Sequence, residues 1–180
     1  MSSDESTALS FSDGTDLSST DNSVFTIALI GNPNCGKTSL FNQLTGARQR
    51  TGNMAGVTVT SREGSCEWRG VECQFIDLPG VYSLSNSRVE EKVARDYLID
   101  NPPDLILNVL DASNLARNLA LTTQLMEQGL PVVLALNMLD ELEKQGHSVA
   151  LDSLGESLGL PVLASDGRSK KYLPELLEQL

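Results

Sequence analysis

Four short runs carry side chains that handle phosphate, a hard cation or a purine edge. The first, Gly31-Asn32-Pro33-Asn34-Cys35-Gly36-Lys37-Thr38, fits G-x-x-x-x-G-K-[ST]. In that spacing backbone N–H groups turn inward as a nest around a phosphate, and glycines permit the turn without Cβ clashes. Lys37 then reaches the outer phosphates, the Thr38 hydroxyl is placed to coordinate Mg²⁺, and Ser39 continues into a helix whose N-terminal dipole favours an anion. The second run, Asp77-Leu78-Pro79-Gly80, offers a carboxylate to hold Mg²⁺ through water. Its glycine has a bare N–H that can approach a γ-phosphate. The third, Asn137-Met138-Leu139-Asp140, supplies base choice. Guanine presents N1–H and its 2-amino group on one edge, and one carboxylate accepts both; adenine would leave that carboxylate unpaired. The fourth, Gly56-Val57-Thr58-Val59-Thr60, places Thr58 to add a hydroxyl to Mg²⁺ when nucleotide orders the loop. Taken singly, these are a Gly-rich turn, a turn-forming Asp and a helix N-cap at Asp140. Taken in this order along one chain, they indicate a site for GTP and GDP.

The elements between the motifs must position them. Residues 25–30 form an apolar run that reads as a buried strand, and a helix opens at Lys37. Residues 46–56 are polar and aperiodic, the pattern of a mobile loop. Residues 58–68 and 71–77 read as two strands turned by Arg69-Gly70, and 89–99 as a helix. Strands are expected at 105–110, 131–136 and 161–164, and helices at 115–128, 151–158 and 172–180. Alternation of this kind gives an α/β fold: a mostly parallel sheet with one antiparallel strand and helices on both faces. Each polar motif then lies just beyond a strand's C-terminal end, where open α/β sheets bind ligands.

The totals narrow the function classes. At 180 residues, with 40% hydrophobic and 21% charged residues, the chain has the length and composition of one globular domain. Its net charge is −11; residues 1–24 hold five acids and no Lys or Arg, which leaves −6 on the remainder. That balance disfavours nucleic acid as a partner. The Ser/Thr/Asp-rich segment 1–24 is too poor in large apolar residues to offset ordering entropy and reads as a disordered acidic tail. It lacks the basic start and apolar stretch of a signal peptide, and no apolar run is long enough to span a bilayer. Cys35, Cys66 and Cys73 are an odd, sparse set, which suggests a reducing compartment. Cys66 and Cys73 read as packing residues at the two ends of the hairpin. Cys35, inside the phosphate loop, is either a silent small residue or a site where oxidation would block nucleotide.

The quoted motifs, together with Asp77-Leu-Pro-Gly-Val-Tyr-Ser-Leu84 and Asp111-Ala-Ser-Asn-Leu-Ala-Arg-Asn-Leu119, resemble the N-terminal G domain of the ferrous iron transport protein B family, the bacterial Fe(II) membrane transporters. The resemblance covers residues 25–180. It implies a Ras-like P-loop GTPase fold, GTP hydrolysis with Mg²⁺, and K⁺ stimulation in which Asn34 helps bind the ion. The implied catalytic set is Lys37, Asn34, Thr58 and Gly80; the implied metal ligands are Thr38, Thr58 and Asp77 for Mg²⁺ and Asn34 for K⁺. Carbonyls from 52–57 would complete the K⁺ site. The implied setting is a cytoplasmic domain whose parent sits in the bacterial cell membrane. Its implied partners are the helical and permease parts of the full-length protein, through which any oligomer would form.

Two departures from the family stand out, beside differences from other G proteins. Met54-Ala55 replace the Trp-led pair that members often carry, while Met138, where G proteins at large carry Lys, is itself a mark of the family. The Ser-Ala or Ser-Thr pair of the base loop is replaced by Asp166-Gly167-Arg168, with Ser165 one residue early and Gly167 offering its N–H to guanine. Val81 occupies the place where Ras-type GTPases carry the Gln that orients water. Slow hydrolysis is therefore expected, with a nucleotide sensor of negligible turnover as the alternative. An RNA-binding GTPase would be expected to carry a basic patch, which this sequence lacks.

Overall fold

The computed structural model describes residues 24–46, 48–53, 60–85 and 87–179. The expected tail and the expected loop residues Gly56, Val57, Thr58 and Val59 lie outside the described residues, apart from Val24 at the tail's end. Among the described residues seven strands form one sheet: β1 (Phe25–Gly31), β2 (Gln49–Asn53), β3 (Thr60–Trp68), β4 (Val71–Asp77), β5 (Leu105–Asp111), β6 (Val132–Asn137) and β7 (Val162–Ala164). Their order across the sheet is β2-β3-β4-β1-β5-β6-β7. β3 runs antiparallel to both β2 and β4, and every other pairing is parallel.

The central strands are the apolar ones. In β1, Ile27, Ala28, Leu29 and Ile30 have no exposed surface, and β5 and β6 are buried over almost their whole length. A strand buried on both faces needs a layer on each side, and the helices supply both. Ala28, Ile30, Ile106 and Leu134 face a core completed by α2 (Val89–Asp100) and α3 (Leu115–Glu127). Ile27, Leu29, Phe75 and Leu107 face the opposite core, completed by α1 (Lys37–Thr45) and α6 (Leu173–Gln179). One polar pair is sealed inside: Asn108 Nδ2 donates to Thr122 Oγ1 at 2.8 Å, joining β5 to α3.

Three details differ from the expectation. Residues 49–53, read as part of a loop, pair with β3 from Gln49↔Gly64 to Asn53↔Thr60. An edge strand needs only a backbone partner, so the polar Gln-Arg-Thr-Gly-Asn run carried no alternating signal. Leu139–Lys144 forms a short helix, α4, immediately after β6; α5 (Leu151–Leu158) follows it as expected. Cys66 and Cys73 do not sit at opposite ends of the hairpin but directly across from one another. No helix among the described residues is long and apolar enough to cross a membrane.

α1 is anchored to the sheet by Leu40, Phe41 and Leu44, all buried, with Phe41 wholly so. Its position sets where Lys37 and Thr38 stand. Phe41→Ala is expected to lower unfolding free energy by about 3–5 kcal/mol through lost burial and a residual cavity. Urea unfolding followed by circular dichroism checks this; a change below about 1 kcal/mol would mean α1 is held by something else.

Candidate functional site

The motifs gather at the C-terminal edge of the sheet. β1 runs into the loop at Gly31, where a Cβ would stand 2.4 Å from the Val109 carbonyl oxygen, so only glycine lets β1 leave the sheet beside β5. The loop ends at Gly36, whose φ of 89° is in the left-handed region, and α1 begins at once with Lys37.

Parallel register between β1 and β4 pairs Leu29 with Asp77 and brings that carboxylate to the loop. Lys37 Nζ pairs with Asp77 Oδ1, both side chains buried, and Thr38 Oγ1 lies 3.4 Å from Asp77 Oδ2. An ammonium, a hydroxyl and a carboxylate thus meet at the head of a helix. The hydroxyl and carboxylate are hard oxygen donors, the chemistry Mg²⁺ requires. The segment after Asp77 is tied back to β1: Leu78 N–H donates to Leu29 O and Val81 N–H to Gly31 O, each at 3.0 Å. These bonds press Gly80 against Pro33, where a Cβ would lie 3.2 Å from Pro33 Cα. Val81 turns into the core and is 2% exposed, so its side chain does not face the nucleotide pocket.

On the base side, β6 ends at the buried Asn137. Its Nδ2 donates to Cys35 O at 2.9 Å, and its Oδ1 accepts from Gly167 N–H at 3.2 Å. One amide therefore ties the phosphate loop to the base loop. Met138 takes a left-handed φ of 61° and starts α4, which carries Asp140. Arg168 donates to Asp140 Oδ2 at 2.6 Å and Lys144 to the same oxygen at 3.3 Å. Desolvation works to raise the Asp140 pKa, but hydrogen bonds from Lys144 and Arg168 outweigh it and hold the carboxyl below its ordinary range. Asp166 is likewise lowered, chiefly by the Ser169 hydroxyl and the Arg168 N–H, so it caps its own loop rather than facing outward as a free acid. Gln43 of α1 fixes the same loop through the Asp166 carbonyl at 3.0 Å.

Three adjoining recesses follow this line of residues. One of about 600 Å³ includes Lys37, Thr38, Asp77 and Gly80. The next, about 550 Å³, runs along the phosphate loop from Asn32 to Ser39, with exposed Asn34 at a left-handed φ of 66°. The third, about 260 Å³, lies between Gly36, Met138, Gly167 and Arg168. A further recess of about 460 Å³, bordered by Val24, Arg48 and Glu72, holds none of the candidate residues.

The sequence motifs did not single out Arg50 or Arg62, and they leave Ser165 one residue early for the base loop. Arg50 and Arg62 border the 600 Å³ recess, Arg62 directly across from Asp77 in the β3–β4 register. Ser165 is buried beside Asn137, its N–H bonded to Leu136 O at 2.9 Å. Strand register would have placed the two arginines, and a serine at a strand end the third. Within the phosphate loop, Cys35 is buried and its thiol is pushed up to about 11 by that burial, which removes thiolate character at neutral pH.

Comparison with known proteins agrees with this geometry. The family model described as ferrous iron transport protein B matches residues 25–180. A fusion protein of Fe(2+) transport protein A and Fe(2+) transporter FeoB from Porphyromonas gingivalis is 51% identical over 158 residues, 87% of this chain and 19% of that protein. The Fe(2+) transporter FeoB of Escherichia coli strain K12 is 53% identical over 142 residues, 77% of this chain and 18% of that protein. The chain thus spans about a fifth of the length of these relatives. Among solved structures, the G domain of T. maritima FeoB superposes with a TM-score of 0.82 at 40% identity, covering 87% of this chain and 96% of that one. A mutant of S. thermophilus NFeoB bound to GDP also gives 0.82, at 49% identity, covering 87% of this chain and 61% of that one. The chain belongs to the ferrous iron transport protein B family, and its fold is that family's N-terminal G domain.

Proposed function

We propose that this chain is the guanine-nucleotide switch of a ferrous iron membrane transporter, acting on the cytoplasmic side, and that it hydrolyses GTP to GDP and phosphate. The observation that carries the reading is the convergence of Lys37, Thr38 and Asp77 at the head of α1, braced through Asn137 to the loop beside Asp140. The GDP bound to the S. thermophilus NFeoB mutant supports the choice of nucleotide. The relatives' transporter names and greater length support a parent protein with further helical and permease parts.

In this reading the phosphate chain lies along residues 31–38 and the base between Met138 and Gly167. Lys37 is drawn from Asp77 to the outer phosphate oxygens, where its fixed charge offsets the negative charge that grows on the leaving bridge oxygen as the γ-phosphoryl bond breaks. Thr38 and Asp77 would hold Mg²⁺, which when bound neutralises phosphate charge. Gly80 N–H contacts the γ-phosphate, and Thr58 would add a hydroxyl to Mg²⁺. Asp140, kept ionised by Lys144 and Arg168, accepts the two guanine donors. No side chain at position 81 holds the attacking water, because Val81 is apolar and buried. A monovalent cation beside Asn34 would supply the charge that an arginine finger supplies elsewhere, and backbone carbonyls would orient the water. The same burial of Val81 favours a second reading, a GTP/GDP sensor with negligible turnover.

Three measurements test this. Lys37→Ala should weaken GTP binding roughly ten- to hundredfold, about 1.5–3 kcal/mol for a lost charged contact, in a fluorescent-nucleotide titration. Undiminished binding would remove the phosphate loop from the site. Asp140→Asn should lose about 1–3 kcal/mol of guanine binding and narrow the gap between GDP and ADP; an unchanged preference would refute its role. GTP turnover with Mg²⁺ should be faster in K⁺ than in Na⁺ for the parent, and the difference should vanish in Asn34→Ala. Equal and negligible turnover in both salts, with GDP still bound, would establish the sensor reading instead.

A further inference from the structure

Away from the nucleotide pocket, Cys66 of β3 and Cys73 of β4 form a register pair on adjacent antiparallel strands. The strands are joined by Arg69 and Gly70, both at positive φ (51° and 83°), as a two-residue turn with the twist of a hairpin requires. Trp68 and Val71 flank that turn, and Cys66 and Cys73 are the pair two steps further along each strand. Counting from the turn makes this a hydrogen-bonded pair, with Cα atoms about 5.5 Å apart. That Cα spacing lies inside the disulfide range, while the Cβ atoms of a hydrogen-bonded pair stand about 5.5 Å apart, so the bond must draw the two strands together locally. Directly opposed residues also project from the same face of the sheet. Here the face is the one that packs on α1: Cys73 is buried with Leu40, Phe41, Leu44 and Phe75, and Cys66 packs against the edge of that cluster.

The two sulfurs are free and stand on the same face of the sheet. Both cysteines are unpaired thiols, Cys66 half-buried and Cys73 buried. The Cys73 sulfur lies 4.0 Å from the Val71 carbonyl oxygen, and the register sets Cys66 directly across from it. One sulfur is thus open to a small solute while the other waits behind it, the arrangement of an attacking and a resolving thiol. Burial raises both thiols, which makes the pair slow to react, while the nearby Arg48 charge pulls Cys66 the other way. Cys35 shares neither feature: it is sealed in the phosphate loop far along the chain from this pair.

We propose that Cys66 and Cys73 are a modification site that a peroxide converts into a cross-strand disulfide. The Cys66 thiolate attacks one peroxide oxygen, the O–O bond breaks, and the departing hydroxide leaves as water after protonation. The resulting sulfenic acid is attacked by the Cys73 sulfur as it gives up its proton; the S–S bond forms, the S–O bond breaks and a second water leaves. Two thiols lose two electrons and one peroxide becomes two waters. The bond closes an eight-residue ring around the β3–β4 turn. It staples the hairpin that runs from residue 60, just after the segment holding Thr58, to Asp77.

The test treats the whole chain with hydrogen peroxide, then blocks remaining thiols by alkylation and maps the peptides without reduction. The expected result is loss of two hydrogens from the intact mass, a Cys66–Cys73 linked peptide, and alkylated Cys35. The melting temperature should rise on oxidation and return on reduction. Cys66→Ser and Cys73→Ser should each abolish the mass loss and the rise. If either variant fails to fold, the peptide map of the unsubstituted chain still decides. Alkylation at all three cysteines, links through Cys35, links between two chains, or sulfinic acid at Cys66 without a bridge would each overturn the proposal. Because the readout is a covalent bond remote from the nucleotide motifs, it stands or falls independently of GTP hydrolysis.

Discussion

The site depends on one buried amide. Asn137 is 4% exposed, and its two ends are used in different directions, the nitrogen on the Cys35 carbonyl and the oxygen on the Gly167 N–H. A buried amide left unpaired would cost about 1–3 kcal/mol, so the two loops settle where both bonds close. The neighbourhood leaves no room for alternatives. A Cβ at Gly36 would stand 2.0 Å from Asn137 Nδ2, and one at Gly167 would stand 2.9 Å from Ser39 Cβ. Glycine at these positions lets three backbones meet around one side chain. The distance between the 31–38 loop and the 165–168 loop is thereby set by packing within the chain itself.

Charge is arranged against the background of the whole chain. A protein of net charge −11 repels a polyanion at long range, so binding must come from local fields. Lys37 sits inside the pocket, Arg50 and Arg62 border it, and the α1 N-terminus points the same way. At the other end the sign reverses. Asp140 stands there as an anion, and Lys144 and Arg168 keep it so without entering the sheet. Both cations are largely exposed, so their effect is to bias ionisation and orient the carboxylate rather than to stabilise the fold.

What could be read from the sequence divides along physical lines. β1, β5 and β6 were legible because strands buried on both faces must be continuous apolar runs, and 25–30, 105–110 and 131–136 are such runs. The gathering of the motifs at 31–38, 77–80 and 137–140 at one edge of the sheet was legible because each follows the C-terminal end of a strand. β2 was not, since its polar residues pair through the backbone alone. The opposition of Cys66 and Cys73 was missed although the turn residues were found: reading the pair needed the register counted outward from Arg69-Gly70. Arg62 opposite Asp77 was lost in the same way. Ser165 was seen as one residue early for the base loop; it is buried, with its N–H bonded to Leu136 O at the end of the sheet.

The same packing holds the segment that follows Asp77. Residues 78–85 are held at two ends. At the first, Leu78 and Val81 N–H groups bond to the end of β1, so the segment starts as an extension of the most buried strand. At the second, α3 holds it: Gln124 Oε1 accepts from Leu84 N–H at 2.6 Å, and the Arg117 guanidinium lies 4.1 Å from the centre of the Tyr82 ring. Gly80 lies between Leu78 and Val81, with no side chain and in close contact with Pro33. The bonds to β1 cannot lengthen without disturbing a core strand. The ties to α3 are a surface cation–π contact, one side-chain hydrogen bond and the burial of Leu84 in the core that Leu121 and Leu125 help to form. Ser85 Oγ adds a bond to Glu91 of α2 at 2.6 Å, so the segment is fixed on both sides of Gly80, and the glycine is the one position between Leu78 and Val81 that brings no side chain to the packing.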